Sequence, residues 1–133
     1  MNQFSIHHLG IVINSDEVSI YENKYKVKFI KDKVQGVRVA FVWNSEKKMY
    51  EEYFTQEGRA KKYQLGFHHV CYQINSLKDL EVLHEEITTK KFGFRLTFPE
   101  KSGSKECGII SFYKLNYFGI VEFNIPEVDN VKV

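Results

Sequence analysis

Two stretches of the chain begin alike, Ile6-His7-His8-Leu9-Gly10-Ile11 and Phe67-His68-His69-Val70-Cys71-Tyr72. A single histidine in a strand is usually an ordinary one, but the same His-His-apolar pattern twice argues for a shared role. Side chains alternate faces along a strand, so His8, Gly10 and Val12 share one side and His7, Leu9, Ile11 and Ile13 the other. Aligning the stretches places His69 on His8 and selects these two as the inward pair, leaving His7 and His68 outward. Near the end of the chain, Val121-Glu122-Phe123-Asn124 sets a carboxylate among apolar neighbours, where burial is costly unless a cation neutralises it. The matching first-half segment, Met49-Tyr50-Glu51-Glu52-Tyr53-Phe54, carries two carboxylates in a row, and only one can face inward. Glu52 is expected there because Glu52-Tyr53-Phe54 reads most like Glu122-Phe123-Asn124; Glu51 is the alternative.

Two imidazole nitrogens and two carboxylate oxygens suit a divalent ion such as Zn, Ni, Co, Mn or Fe and leave positions open for water or substrate. Open positions mark a catalytic rather than a structural site. The two carboxylates balance the ion's charge, and an anionic enolate bound to it would be stabilised.

The elements that must position these residues repeat. The first half reads as a strand (about Phe4 to Ile13), a helix (Ser15 to Tyr25) and apolar stretches at Val27 to Val34, Val37 to Asn44 and Met49 to Gln56. The second reads as a strand (Phe67 to Ile74), a helix (Ser76 to Phe92) and strands at Phe94 to Phe98, Cys107 to Lys114 and Phe118 to Ile125. Both have the order βαβββ, giving an α+β chain of two tandem modules, about residues 4–57 and 66–125, within a single domain spanning 1–133. The second helix carries the clearer signals: Ser76 and Asp79 as an N-cap arrangement, Leu77, Leu80, Leu83, His84 and Ile87 on one face, and Gly93 as a stop. The first has Ser15 as cap, Asp16 and Glu17 at its positive end, and Val18, Tyr21 and Tyr25 as its stripe. Glu57 to Gln64 reads as an exposed link, and Pro99 to Lys105 as a mobile edge over a pocket.

With 133 residues, 43% of them hydrophobic, the chain can bury a real core. A formal charge of +2 gives no field that would argue for nucleic acid or a membrane. Two cysteines, Cys71 and Cys107, are too few for a disulfide framework and point to free thiols in a reduced setting. No signal-peptide pattern opens the chain and no apolar run approaches the roughly 20 residues of a membrane helix, so a cytoplasmic protein is expected.

The residues resemble the vicinal oxygen chelate superfamily of glyoxalases, bleomycin-resistance proteins and type I extradiol dioxygenases, over about Ile6 to Ile125. His8-Leu9-Gly10-Ile11, Gln35 to Phe41, Gly66 to Tyr72 and Val121-Glu122-Phe123 look most like methylmalonyl-CoA epimerases and their glyoxalase-like relatives. The resemblance implies paired modules curling into a half-open mixed β-barrel around a divalent metal, usually in a homodimer. It implies ligands at His8, His69 and Glu122, with the fourth at Glu52 or Glu51. The chain departs from the family pattern after that fourth position, where Tyr53-Phe54-Thr55-Gln56 stands in place of apolar residues and a proline. The acidic base that some bacterial epimerases carry in the strand matching Val37 to Phe41 is also missing, since Arg38 is the only charged residue there.

The activity so implied is an isomerase, epimerase or lyase that removes a proton next to a carbonyl, with Glu122 or Glu52 as catalytic carboxylate. Arg59, Lys61, Lys62, Lys101 and Lys105 lie in the two loops that could flank a pocket, which suits an acyl-CoA or another anionic carbonyl compound. The rival function is a metal-free antibiotic-binding protein, its cleft lined by aromatic groups such as Trp43, Tyr50, Tyr113 and Tyr117. A ferrous dioxygenase ranks last, because that subfamily has a three-ligand site and a longer chain.

Overall fold

The computed structural model describes residues 4–127; both ends of the expected 1–133 domain lie outside them. The first half contains β1 (Ser5–Ile13), α1 (Val18–Tyr25), β2 (Ile30–Asp32), β3 (Val37–Asn44) and β4 (Met49–Thr55). The second contains β5 (Gly66–Gln73), α2 (Leu77–Thr89), β6 (Gly93–Arg95), β7 (Glu100–Lys101), β8 (Ile109–Leu115) and β9 (Gly119–Ile125). All nine strands join one mixed sheet in the order β2-β3-β4-β1-β5-β9-β8-β6, with β7 beside β8. The sheet does not close on itself, which makes it the half-open α+β barrel.

The order is symmetric about the seam between β1 and β5. Each first strand runs parallel to the last strand of its own half, β1 with β4 and β5 with β9, while β1 and β5 pair antiparallel. Four strands therefore meet at the middle of the sheet, and they are the four from which ligands were expected. Each half packs its own core: Val12, Val37, Val39, Phe54 and Ala60 in the first, and Val70, Leu80, Ile87, Tyr113, Val121 and Phe123 among those of the second.

The helices differ as their patterns imply. In α2 the Ser76 side chain accepts from the Asp79 amide at 3.1 Å, and Leu80 and Ile87 are buried on the second core. The expected face is shorter than the sequence suggests, since Leu77 is exposed. The first helix opens as a 3-10 turn, Ser15–Glu17, capped by Asn14 rather than Ser15, and α1 has no buried residue. Its Tyr21 and Tyr25 rings lie against Tyr53 instead.

Several boundaries move. The expected strand from Val27 to Val34 keeps only Ile30–Asp32, and the loop expected from Pro99 contains the extra short strand β7. Gly93 does not stop α2. It begins β6, and a Cβ there would overlap the Lys114 carbonyl, so it serves close strand approach. The link at 57–64 is partly folded back: Ala60 is buried and the Tyr63 ring stacks on His68. Among the described residues no helix is long and apolar enough to cross a membrane.

Candidate metal centre

The side chains of His8, Glu52, His69 and Glu122 converge at the β1–β5 seam, with one donor atom from each within 4.8 Å of the others. Strand register explains the meeting. Gly10 is paired with Glu52 on one side and His69 on the other, while His8 is paired with Cys71, which is paired in turn with Glu122. Paired residues project to the same face, so the two inward positions of β1 bring all four groups together. Gly10 has to be glycine here: a Cβ would overlap the His69 ring, which lies across it.

The register also separates the adjacent carboxylates. Glu51 lies on the other face, where it accepts from Tyr53 Oη at 2.7 Å and Asn44 Nδ2 at 3.2 Å. Glu52 points to the cluster, its Oε1 lying 3.2 Å from His8 Nε2 and 3.6 Å from His69 Nε2. Glu122 Oε1 sits closer, at 3.1 Å and 2.9 Å from the same two nitrogens. The nitrogens are 3.3 Å apart.

These spacings suit a metal ion. With bonds of about 2.1 Å, neighbouring ligands lie roughly 3.0 Å apart in an octahedron and roughly 3.4 Å in a tetrahedron. Two imidazole nitrogens and two carboxylate oxygens at 2.9–3.6 Å fall at those edge lengths. Without a cation the cluster must keep a proton. Burial presses His8 toward the neutral form, but Glu52 and Glu122 together raise its pKa to about 10. Burial opposes the charge of Glu122 as well, yet hydrogen bonds to His69 and His8 hold that carboxyl below the usual carboxylate range. His7, His8 and Cys71 also come near enough to share an ion, but burial lifts the Cys71 thiol well above its ordinary value, leaving a poor donor.

His7 and His68 correct the alternation argument, because neither turns away from its neighbour. His7 Nδ1 lies 2.7 Å from His8 Nδ1, and His68 Nδ1 lies 2.8 Å from His69 Nδ1. Burial, with the adjacent imidazole, holds each of these outer histidines down at about 4, so both are neutral near pH 7.

A cavity of about 20 Å³ adjoins the cluster, lined by Glu52, His69 and Glu122 together with Asp32, His68 and Cys107. Neither Asp32 nor Cys107 was expected at the site. Asp32 is buried and its Oδ1 accepts from the amides of Val34 and Gln35, so it shapes the β2–β3 turn. A Cβ on Gly103 would overlap Asp32 Oδ1, which shows how closely the loop before β8 covers the first half.

The expected anion-binding residues are on the surface. Arg59 pairs with Glu100 and Lys101 with Glu127, while Lys61, Lys62 and Lys105 are exposed. Of the aromatic groups expected to line a drug cleft, Tyr113 is fully buried and Tyr117 fully exposed, while half-exposed Trp43 lies against Tyr50.

No protein-family model matches the chain, and no curated protein matches it. Solved structures do. A hypothetical protein from Bacillus halodurans superposes with a TM-score of 0.68 at 18% identity, over 96% of this chain and 97% of that one. Methylmalonyl-CoA epimerase from Mycobacterium tuberculosis gives 0.68 at 13% identity over 96% and 91%. A variant of the Streptomyces coelicolor methylmalonyl-CoA epimerase, in complex with 2-nitronate-propionyl-CoA, gives 0.66 at 19% identity over 96% and 100%. At such identities the likeness is one of architecture, and it extends over nearly the whole chain: the protein has the vicinal oxygen chelate fold in the form seen in methylmalonyl-CoA epimerases.

Proposed function

We propose that the protein is a divalent-metal-dependent isomerase or epimerase that removes and returns a proton next to a carbonyl, with His8, Glu52, His69 and Glu122 as the metal ligands. The observation that carries this reading is the convergence of two imidazoles and two carboxylates at coordination-edge spacing in the middle of the sheet. A divalent ion held by these four residues would supply the positive charge that stabilises the enolate formed when the carbon next to a carbonyl loses its proton.

The two carboxylates then differ in what they can do. Glu122 is buried and sits near both imidazoles, so its part is to hold. Glu52 is 14% exposed and its distances are longer, which makes it the freer of the two and the candidate to carry the proton between carbon and solvent. The apolar rings of Phe54 and Phe112 limit water in the cavity. Its 20 Å³ suffices for about one water and not for an acyl group. Entry of an acyl group would therefore require the cavity to widen.

The substrate class proposed is an acyl-CoA. Among the structural neighbours, one methylmalonyl-CoA epimerase is in complex with methylmalonyl-CoA and another with 2-nitronate-propionyl-CoA. The test has two stages. Metal analysis of protein purified without added metal, repeated on His8→Ala and Glu122→Ala, should find stoichiometric metal in the parent and little in either variant. Incubation with methylmalonyl-CoA in D2O should then give deuterium at the carbon next to the thioester carbonyl. Exchange with a hemithioacetal but not with the CoA ester would move the assignment to a glyoxalase-type lyase, and a parent that cannot be loaded with metal would end it.

A further inference from the structure

The doubled histidines hold a second pair of imidazoles against the first, and the fold bends twice to place them. Pairing between β1 and β5 shifts register between Ile6 and His8, which leaves His7 without a partner, and again between Gly10 and Ile11, where Gly10 faces His69 and Ile11 faces Phe67. The residue skipped on β5 is His68. Each is thus the extra residue of a β-bulge, the device that re-aims a side chain which strict alternation would send to the opposite face.

The contacts repeat across the seam. Each outer ring stands nearly edge-on to its inner neighbour, at 78° for His7 on His8 and 87° for His68 on His69. Aromatic rings hold the outer pair: His7 lies 5.4 Å from Tyr50, and His68 stacks on Tyr63 at 4.1 Å. An imidazole that binds a cation through Nε2 carries its proton on Nδ1. His8 Nδ1–H then donates to His7 Nδ1 across 2.7 Å, and His69 Nδ1–H donates to His68 Nδ1 across 2.8 Å. Both outer rings must accept, so each keeps its own proton on Nε2.

Resting on the metal reading above, we propose that His7 and His68 are positioning residues which fix the tautomer and ring orientation of His8 and His69, one for each half of the molecule. Partners of this kind typically change metal affinity 10–100-fold. Asparagine can offer a carbonyl oxygen near the Nδ1 position, whereas phenylalanine fills the space and offers no acceptor.

The test is Co(II) binding by chelator competition and visible absorption, on the parent, His7→Phe, His68→Phe, His7→Asn and His68→Asn. The expected result is a 10–100-fold weaker affinity and an altered cobalt spectrum in each phenylalanine variant, with substantial recovery in the corresponding asparagine variant. Parental affinity and spectrum in both phenylalanine variants would overturn the assignment. A parent that takes up no cobalt would overturn the metal reading and this inference with it, and the parent is measured first. Where a phenylalanine variant does not fold, nitrogen-15 spectra of the Zn-loaded parent decide. Protons on Nε2 of His7 and His68 and on Nδ1 of His8 and His69 support the assignment; a proton on Nδ1 of either outer ring refutes it.

Discussion

In the proposed centre protons and metal would compete for His8, and that competition would set its response to pH. In the metal-free protein the His8 pKa lies at about 10, above its ordinary 6.5, because the pull of Glu52 and Glu122 outweighs burial. The folded state binds that proton more tightly than the unfolded chain. The resulting stability is fully present below pH 6.5 and is lost as pH rises toward about 10. His7 and His68 act in the opposite sense: each is held at about 4, so the unfolded chain takes up their protons first and stability falls as pH drops from 6.5 to about 4. The metal-free protein is therefore expected to show its highest urea midpoint near neutral pH, with lower values at pH 5 and pH 9. A metal bound through His8 would have to displace that proton, so affinity should rise about tenfold per pH unit above neutrality. A chelator competition series gives that slope directly, and a flat series would remove His8 from the ligand set.

Gly10 offers a cleaner perturbation because it contributes no donor. Gly10→Ala would push a methyl group into the His69 ring. The expected outcome is weakened metal binding, with the imidazole displaced and every ligand still present. Parental metal content and affinity in that variant would mean that the ring can yield without cost. The same residue shows why Glu52 and Glu51 were hard to separate. Alternation says that one of them faces inward, but which one depends on the pairing of β4 with Gly10, a long-range register that no local pattern records.

At the scale of elements, how legible each one was depended on where its information lay. The α2 cap and buried stripe are local, and both Ser76 and the Leu80–Ile87 spacing could be read from consecutive residues. Ser76→Ala should lower stability by about 1 kcal/mol through loss of an acceptor for the Asp79 amide. Thermal unfolding of the metal-free protein measures this, and an unchanged midpoint would show that water replaces the cap without cost. The bulges at His7 and His68 were not legible, because a bulge is a mismatch between two strands that are distant in sequence. Asp32 was missed for a related reason. It ends a three-residue strand without periodicity and reaches the cavity only because the loop containing Gly103 folds over it from the other half. The repeat announces the inward histidines of both modules, whereas a bulge or a covering loop contributed by the other module leaves no such pattern.

For the molecule as a whole, the consequence of duplication is that each half supplies one imidazole and one carboxylate: His8 and Glu52 from the first, His69 and Glu122 from the second. An ion bound by all four would clip the halves together across the β1–β5 seam. Binding that favours the folded state adds stability that grows with free metal, by about 1.4 kcal/mol for each tenfold increase once the site is saturated. Metal removal should therefore lower the thermal midpoint, and readdition should restore it in a concentration-dependent way. Hydrogen exchange locates the effect. If the centre bridges the halves, metal should slow amide exchange in β1 and β4 and in β5 and β9 alike, since strands on both sides of the seam carry ligands. Protection confined to one pair would place the ion within a single module and break the equivalence of His8 and His69. Equal protection that disappears in both halves on substituting His8 alone would show that the seam opens as one unit, with neither module holding the ion independently.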